Sequence, residues 1–171
     1  GLKYRTVGLA ADLFQSMGAA VTQLPGGEIV PAMERGVLDA FEYNNPTSDR
    51  RFGAQDVAKN YMMGSYHQAN ETFEFIFNKD MFEDLPDELQ AILRYGVEAS
   101  ATANYSKAMD LYSSDLQGLI DEHGVNVLRT PDSIMQAQLD AWDQLLEGLT
   151  QDEFFKKVVE SQRDWCERVV F

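Results

Sequence analysis

The sequence is poor in the residue types that metal centres, disulfide frameworks and nucleophilic catalysis usually require. Its single cysteine, Cys166, cannot form an internal disulfide, and its two histidines, His67 and His123, lie far apart in the chain. It contains no phosphate-binding loop, dinucleotide fingerprint, nucleophile elbow or zinc-protease motif. The nearest acidic pair, Asp39 and Glu42, would lie on opposite faces of a strand. These absences argue against an enzyme and indicate that Cys166 is a packing or surface thiol.

Positive charge is also scarce. The chain has 14 lysines and arginines against 28 aspartates and glutamates, which gives a formal net charge of −14. Without a basic face to neutralise phosphates, the chain is not expected to bind nucleic acid, and an acidic surface disfavours anionic lipid. No run approaches 18 consecutive apolar residues, so we expect no direct membrane insertion. The chain opens without a signal peptide, as though in mid-protein, which indicates an artificial start or a cleavage point.

What is present is typical of a globular α/β protein, since 44% of the residues are hydrophobic and 25% are charged. Short strands alternate with helices at the start of the chain, which predicts a sheet with at least some parallel pairing. Gly18 suits the position just after the first helix. The predicted strands cover residues 3–7, 20–24 and 37–42, and the predicted helices cover residues 9–17 and 28–35.

The middle of the chain is less regular. Residues 44–46 predict a loop, residues 47–59 a partly helical stretch, and residues 60–66 and 72–78 two further strands. In the second of these strands Phe73, Phe75 and Phe77 occupy every second position, which favours a strand over a helix. We expect these three side chains to lie in the core rather than in a pocket.

The second half of the chain is predicted to be mostly helical. Apolar residues spaced by three and four predict one helix from Pro86 to about His123, which would be about 57 Å long unless it bends near Gly96. A last strand at 124–128 and a helix after Pro131 follow. Thr150 and Glu153 match a capping box, which predicts the start of a final helix there.

The feature that points to ligand binding is an arginine on the first predicted strand. Arg5 lies there, and Glu42, Tyr43, Asn44 and Asn45 follow the third strand. In open α/β sheets, ligands bind beyond the carboxyl ends of the strands, where a guanidinium can hold a carboxylate through two parallel hydrogen bonds. A surface ion pair for Arg5 and plain turn roles for Asn44 and Asn45 are the alternatives.

Several segments together resemble a known family of receptors. The chain is similar to the second lobe of TRAP-transporter solute-binding proteins, the DctP-type periplasmic receptors. Each match is short, but their order and spacing agree over nearly the whole chain. The matching segments are Gly1-Leu2-Lys3-Tyr4-Arg5, Met17-Gly18-Ala19, Leu24-Pro25-Gly26-Gly27-Glu28, Ala32-Met33-Glu34-Arg35-Gly36-Val37-Leu38-Asp39-Ala40-Phe41-Glu42, Phe75-Ile76-Phe77-Asn78-Lys79 and Leu85-Pro86-Asp87-Glu88-Leu89-Gln90.

The resemblance implies one lobe of a periplasmic-binding-protein-like (type II) fold, with a long helix and C-terminal helices. It implies that Arg5 pairs with the carboxylate of the ligand. The run from Glu42 to Asn44 resembles the subgroup that binds 2-oxo acids or lactate. There the acidic residue and the next residue's backbone carbonyl help to hold Na⁺ or Ca²⁺, which bridges to the ligand. This chain has Tyr43 where that subgroup usually has tryptophan, which a carbonyl ligand tolerates but which alters any stacking contact.

The resemblance also places pocket-lining residues at Tyr66, His67, Gln68 and Glu71, although His67 can equally be an ordinary loop histidine. The family's chain is about twice as long, so the resemblance implies a truncated half whose pocket is open on one side. We divide the chain into an α/β ligand-binding lobe (1–85) and a helical part (86–171). Because the missing lobe would leave apolar surface uncovered, we expect the second part to build a homodimer or higher oligomer.

Two functional hypotheses are favoured at this point, and an enzyme that uses the acidic residues is the least favoured third. The first is a periplasmic solute-binding component of a TRAP transporter, which captures a small carboxylate for membrane transporter subunits. The second is a truncated homologue that has lost ligand binding and acts as an oligomeric interaction module. Ligand-dependent thermal stabilisation would distinguish the two.

Overall fold

Three short strands near the start of the chain form a parallel sheet in the order β2-β1-β3. The computed structural model describes residues 1–67 and 73–169. The central strand, β1, pairs with both of its neighbours, so the predicted parallel α/β unit is confirmed. The strands are β1 (Lys3–Arg5), β2 (Ala20–Thr22), β3 (Ala40–Phe41), β4 (Asn60–Met63) and β5 (Asn126–Arg129).

Most of the described residues are helical. A short 3₁₀ helix precedes the second α-helix. The α-helices are α1 (Leu9–Ser16), α2 (Ile29–Glu34), α3 (Pro46–Phe52), α4 (Ala54–Val57), α5 (Lys79–Glu83), α6 (Asp87–Asp121), α7 (Asp132–Leu149) and α8 (Glu153–Val169). None of these helices is both long and apolar enough to cross a membrane.

The contacts divide the chain into two units, each built from separate segments. The first unit comprises Gly1–Tyr43, Met62–Ala69 and Val127–Phe171, and the second comprises Asn44–Tyr61 and Asn70–Asn126. The predicted division at residue 85 is a different one, since it separates a ligand-binding lobe from a part that builds an oligomer. It stays a prediction.

The core of the first unit is formed by the small parallel sheet and the helices that follow its strands. Leu13 of α1 and Ile29 of α2 are completely buried. Burying a side chain of this size stabilises the fold by about 1.5–3 kcal/mol. Helix α1 also contacts α7. The other buried apolar residues of the unit are Ala10, Ala11, Ala32, Leu38 and Val159.

Two glycines allow the chain to return sharply from helix to strand in this unit. Gly18 follows α1 with a φ of 91°, and Gly36 follows α2 with a φ of 67°. These left-handed conformations strain residues that have a Cβ atom. The prediction that Gly18 ends the first helix is confirmed.

In the second unit, α3 begins at a capping box. The side chain of Asn45 accepts a hydrogen bond from the Ser48 N–H at 3.0 Å, and the Asn45 N–H donates to Ser48 Oγ at 3.2 Å. Pro46 occupies the first helical position, where its missing N–H costs nothing. Asn45 therefore caps a helix, which is a local structural role but not the plain turn role considered for it.

Helix α6 has 35 residues and is unbroken at Gly96. At 1.5 Å per residue it is about 52 Å long. Within the second unit α3 packs on α6, where Arg50 forms ion pairs with Asp115 at 3.2 Å and Glu122 at 2.5 Å. Gly118 leaves room for the Arg50 guanidinium, which a Cβ atom would overlap.

The strand predicted at 72–78 is wrong for its described part. Residues 73–78 form neither helix nor strand, and Phe73, Phe75 and Phe77 are 68%, 60% and 45% exposed. The expectation that they lie in the core is therefore also wrong. An alternating pattern forms a strand only where a neighbouring backbone is available to pair with it, and none of the described residues supplies one.

The capping box predicted at Thr150 and Glu153 is also wrong. Thr150 instead ends α7, where its hydroxyl donates to the Leu146 carbonyl at 2.7 Å. Asp152 caps α8, because its carboxylate accepts a hydrogen bond from the Phe155 N–H at 2.8 Å. A carboxylate directly before the first helical residue is as good a cap as a hydroxyl, and here it has the correct spacing.

Candidate functional site

Arg5 is the last residue of the central strand of the parallel sheet. Its neighbours in register are Thr22 on β2 and Phe41 on β3. All three strands end at the same edge, because parallel strands share one direction. Arg5 is only 4% exposed, which is rare for an arginine without partners.

The guanidinium of Arg5 is held by the ends of the neighbouring strands. Its Nε donates to the Leu24 carbonyl at 2.9 Å, and its Nη1 donates to the Glu42 backbone carbonyl at 2.7 Å. Nη1 also forms an ion pair with Glu42 Oε1 at 3.2 Å. Within the described part of the chain, Nη2 has no hydrogen-bond partner. Two parallel bonds to an incoming carboxylate would therefore require either Nη1 to leave Glu42 or Nε to leave Leu24, whereas Nη2 alone can donate without rearrangement.

The carboxylate of Glu42 lies at the centre of this cluster. Its Oε1 accepts a hydrogen bond from Thr6 Oγ1 at 3.0 Å in addition to the Arg5 contact. Its Oε2 lies 3.5 Å from Nε2 of His67. The Glu42 side chain is 13% exposed, so it is mostly removed from solvent. The structure thus brings together three of the predicted site residues, Arg5, Glu42 and His67.

Aromatic contacts fix the orientation of the His67 ring. The ring meets Phe14 edge-on with centroids 5.3 Å apart, and Phe14 meets Tyr4 in the same way at 4.7 Å. Nδ1 of His67 is hydrogen-bonded to Ser65 Oγ. Burial raises the pKa of Tyr4 above its usual range, and the negative charge of Glu42 raises it further.

Tyr43 packs beside this cluster. The guanidinium carbon of Arg5 lies 5.9 Å from the centroid of its ring, within the range of a cation–π contact. A Cβ atom at Gly26 would lie 2.7 Å from Cε2 of the same ring, so this approach requires a glycine. Asn44 is exposed and belongs to the second unit, so its predicted role in ligand binding stays a prediction.

The other predicted pocket residues contribute less to the described geometry. Tyr66 is 46% exposed, and its backbone rather than its ring makes the contacts that the structure shows. Gln68 and Glu71 lie outside the described residues. Two open cavities, of about 280 and 490 Å³, lie on α6 and α8, and neither is lined by Arg5 or Glu42.

The oxygen atoms of the Glu42 carboxylate and the Tyr43 carbonyl are of the type that binds hard cations, but they are too few for a complete coordination shell. A carboxylate and a backbone carbonyl are the oxygens that Ca²⁺ and Na⁺ favour, yet Ca²⁺ takes six to eight of them. Among residues 1–67 and 73–169, no group of three or more acidic, histidine or cysteine side chains could hold a metal ion. Glu42 and the Tyr43 carbonyl could therefore supply part of a coordination shell that a ligand or water must complete.

The sequence matches a known family over most of its length. Residues 1–157 match the bacterial extracellular solute-binding proteins, family 7. The chain belongs to this family. A monocarboxylate 2-oxoacid-binding periplasmic protein of a Nostoc species is 29% identical over 171 residues, which cover 99% of this chain and 46% of that protein. The chain thus spans about half the length of the relatives that it matches.

Two solved TRAP periplasmic solute-binding proteins contain the fold of this chain in about half of their length. One, from Colwellia psychrerythraea with bound calcium and pyruvate, has a TM-score of 0.88 and 32% identity over 99% of this chain and 52% of its own. Another, from Pseudoalteromonas atlantica with bound sodium and pyruvate, has a TM-score of 0.82 and 29% identity over 99% of this chain and 54% of its own. The predicted resemblance to one lobe of this fold is confirmed.

Sequence reasoning missed the residues that support the site. Thr6 and the Leu24 carbonyl hold Glu42 and Arg5, and a backbone carbonyl leaves no signal in a sequence. Gln138 is only 3% exposed and contacts the segment that carries His67. Here a signal did exist, because Gln138 is four residues from both Ile134 and Trp142 and is a polar residue on the predicted apolar face.

Proposed function

We propose that this chain is part of the solute-binding component of a TRAP-type transporter. Its ligand is a small carboxylate of the 2-oxo acid or lactate class, which it binds in the periplasm and delivers to membrane transporter subunits. The pyruvate bound in two similar proteins supports this class of ligand. The same similarity favours ligand binding over the alternative of an interaction module without a ligand.

The observation that carries the proposal is the buried guanidinium of Arg5 at the carboxyl edge of the sheet. Its charge is balanced by Glu42, as a buried charge requires, and the edge where it lies is where α/β sheets bind ligands. Its Nε and Nη1 are fixed by Leu24 and Glu42, which leaves the Nη2 edge in a defined direction. In our proposal this edge binds the carboxylate of the ligand.

The other predicted residues surround that contact. Glu42 and the carbonyl of Tyr43 are proposed to hold Na⁺ or Ca²⁺, whose positive charge would attract the carboxylate of the ligand. The ring of Tyr43 packs on the guanidinium, and His67 lies beside Glu42. Only half of the relatives' length is present here, so we expect weak affinity, because fewer contacts offset the entropy cost of association.

Thermal unfolding of the 171-residue chain tests this function. With pyruvate at ten times its Kd together with Ca²⁺, stability should rise by about 1.4 kcal/mol. For a chain of this size that raises Tm by about 3–6 °C. Pyruvamide, which has the same shape without the charge, should produce no rise. A rise of equal size with pyruvamide, or none with pyruvate at any soluble concentration, contradicts the proposal.

A conservative substitution tests the residue that the proposal depends on. Arg5→Lys keeps the positive charge but cannot donate along the Nη2 edge, so it should abolish the rise with pyruvate. Arg51→Lys is the matched control, because Arg51 is an exposed arginine of the second unit. An Arg5→Lys chain that still responds to pyruvate would place the carboxylate elsewhere.

We also propose that residues 86–171 form a homodimer or higher oligomer. Large apolar side chains on α6 and α8 are exposed, among them Ile92 at 64%, Tyr105 at 71% and Phe154 at 75%. Large exposed apolar patches usually mark an interface. Sedimentation at micromolar concentration should show a species larger than the monomer, and a clean monomer would contradict this assembly.

A further inference from the structure

The segment that carries His67 is held by one buried side chain of α7. The Oε1 atom of Gln138 accepts a hydrogen bond from the Tyr66 backbone N–H at 2.8 Å and another from Ser65 Oγ at 3.0 Å. Gln138 is 3% exposed, so neither bond competes with solvent. All of these residues belong to the first unit, as does Glu42.

The chemistry of these contacts fixes the direction of each hydrogen bond. The Tyr66 N–H can only donate, so the amide atom of Gln138 that faces it is the carbonyl oxygen. The same oxygen faces Ser65 Oγ and can only accept, so the single hydroxyl hydrogen of Ser65 points at Gln138. Ser65 Oγ must then accept from His67 Nδ1, which it also contacts. Nδ1 of His67 therefore carries a proton.

A second residue of α7 completes the anchor. Trp142, one helical turn after Gln138, donates from Nε1 to the Tyr66 carbonyl at 3.1 Å. The N–H and the C=O of Tyr66 are thus both held by α7, and the Phe14 ring packs against the His67 ring. With Nδ1 directed at Ser65, the ring presents Nε2 to Glu42 at 3.5 Å.

We propose that Gln138 is a positioning residue for the carboxylate site. Through Ser65 and the Tyr66 backbone it holds the His67 ring with Nδ1 toward Ser65, so that Nε2 is the ring atom that lies beside Glu42. The expected effect of Gln138 on ligand binding rests on the proposed function, whereas its expected effect on the His67 ring does not. In this proposal, ligand affinity depends on Gln138, a side chain of α7 that lies outside the cluster of Arg5 and Glu42.

The test combines a direct readout of the His67 ring with ligand binding. Long-range ¹H–¹⁵N correlation spectra of the histidines should show a protonated Nδ1 for His67 in the parent chain at neutral pH. His123 is the only other histidine and serves as an internal reference. Q138M removes the acceptor at similar volume, so the Nε2-protonated form should become populated. The response to pyruvate with Ca²⁺ should weaken on the order of tenfold or more.

Two further variants separate positioning from general stability. Q138E retains an acceptor oxygen at the same place and should keep the proton on Nδ1, whereas its buried negative charge should lower the free energy of unfolding. Q136M is the matched control, since Gln136 is exposed on the same helix and bonds only to Asp140 among the described residues. It should leave both readouts unchanged.

The outcomes distinguish this inference from the proposed function. A parent His67 that carries its only ring proton on Nε2 overturns the inference, and so does a folded Q138M chain with parent-like spectra. If Q138M does not fold, the parent spectrum and Q138E still decide the matter. If the tautomer shifts as expected but no variant responds to pyruvate, the inference on His67 stands and the proposed function fails.

Discussion

Arg5 and Lys3 provide a matched pair for measuring what burial does to an ion pair. Both lie on β1, two residues apart, and each binds an acidic residue. The side chains of Lys3 and Asp39 are 47% and 42% exposed, whereas the side chains of Arg5 and Glu42 are 5% and 13% exposed. Replacing Arg5 with methionine leaves the Glu42 carboxylate and the Leu24 carbonyl without their main donor. Breaking a buried pair in this way costs about 3–5 kcal/mol, whereas an exposed pair contributes about 0–1 kcal/mol.

The assay is urea unfolding followed by tryptophan fluorescence. Trp142 and Trp165 are the two tryptophans of the chain, and both belong to the same unit as Arg5, so the signal reports on that unit. With a urea dependence near 2 kcal/mol per M, Arg5→Met should lower the midpoint by about 2 M. Lys3→Met should lower it by about 0.5 M or less. If Arg5→Met is unfolded in buffer, a stabilising osmolyte such as TMAO restores a measurable baseline.

A double variant identifies the source of the cost. If the penalty comes from a buried carboxylate without a partner, adding Glu42→Gln to Arg5→Met should recover a large part of it, because the amide is neutral. Equal losses for Arg5→Met and Lys3→Met would refute the reasoning. So would a double variant less stable than Arg5→Met alone.

Three further changes test other parts of the structure. Gly118→Ala should destabilise the chain by about 1–3 kcal/mol because its Cβ would displace the Arg50 guanidinium. Gly96→Ala, in open space on the same helix, should stabilise the chain by about 1 kcal/mol. Unfolding followed by circular dichroism measures both changes. Burial and an aspartate partner raise the pKa of Tyr61 above its usual value of about 10. The contribution of Tyr61 to stability is therefore complete below pH 10 and is lost as the pH rises further. The free energy of unfolding from urea titrations should consequently fall less with alkaline pH in Tyr61→Phe than in the parent chain. Cys166 is exposed and should react with Ellman's reagent in the native chain, and more slowly at higher chain concentration if α8 lies in the proposed oligomer.

Patterns that depend on neighbouring residues could be predicted from the sequence. The alternation of strands and helices up to Phe41, the glycine after α1 and the long helix from residue 87 all match the structure. Each is fixed by local spacing or by a conformation that only glycine adopts easily. Phe73 to Phe77 show the limit of such patterns, since an alternating sequence cannot state whether a partner strand exists.

The candidate site was partly predictable for a similar reason. Parallel pairing predicts that Arg5 and Glu42 lie at one edge of the sheet, and the resemblance to a family identified His67. The sequence could not show that Glu42 already occupies Nη1 of Arg5. It also could not show that Gln138, 71 residues after His67, orients that ring. Both depend on how distant segments pack, which has no local pattern.

The pairing of Arg5 with Glu42 explains why a cation belongs in the proposed site. One guanidinium can neutralise one carboxylate, and at 3.2 Å Glu42 already has that role. A ligand carboxylate that arrives at Nη2 adds a second negative charge within a mostly buried cluster. Without a further positive charge, repulsion between the two carboxylates opposes the attraction to Arg5.

A cation held by Glu42 and the Tyr43 carbonyl removes that imbalance. Na⁺ would bring the cluster of Arg5, Glu42 and ligand to neutrality, and Ca²⁺ would leave it with one positive charge. If the carboxylate binds at Arg5 as proposed, ligand affinity should therefore depend on the cation and be greater with Ca²⁺ than with Na⁺. In the Glu42→Gln chain one negative charge is absent, so the cation should matter much less. Calorimetric titration of pyruvate into both chains, with each cation and with neither, measures this directly, and an equal cation dependence in the two chains would show that Glu42 is not the residue that requires it.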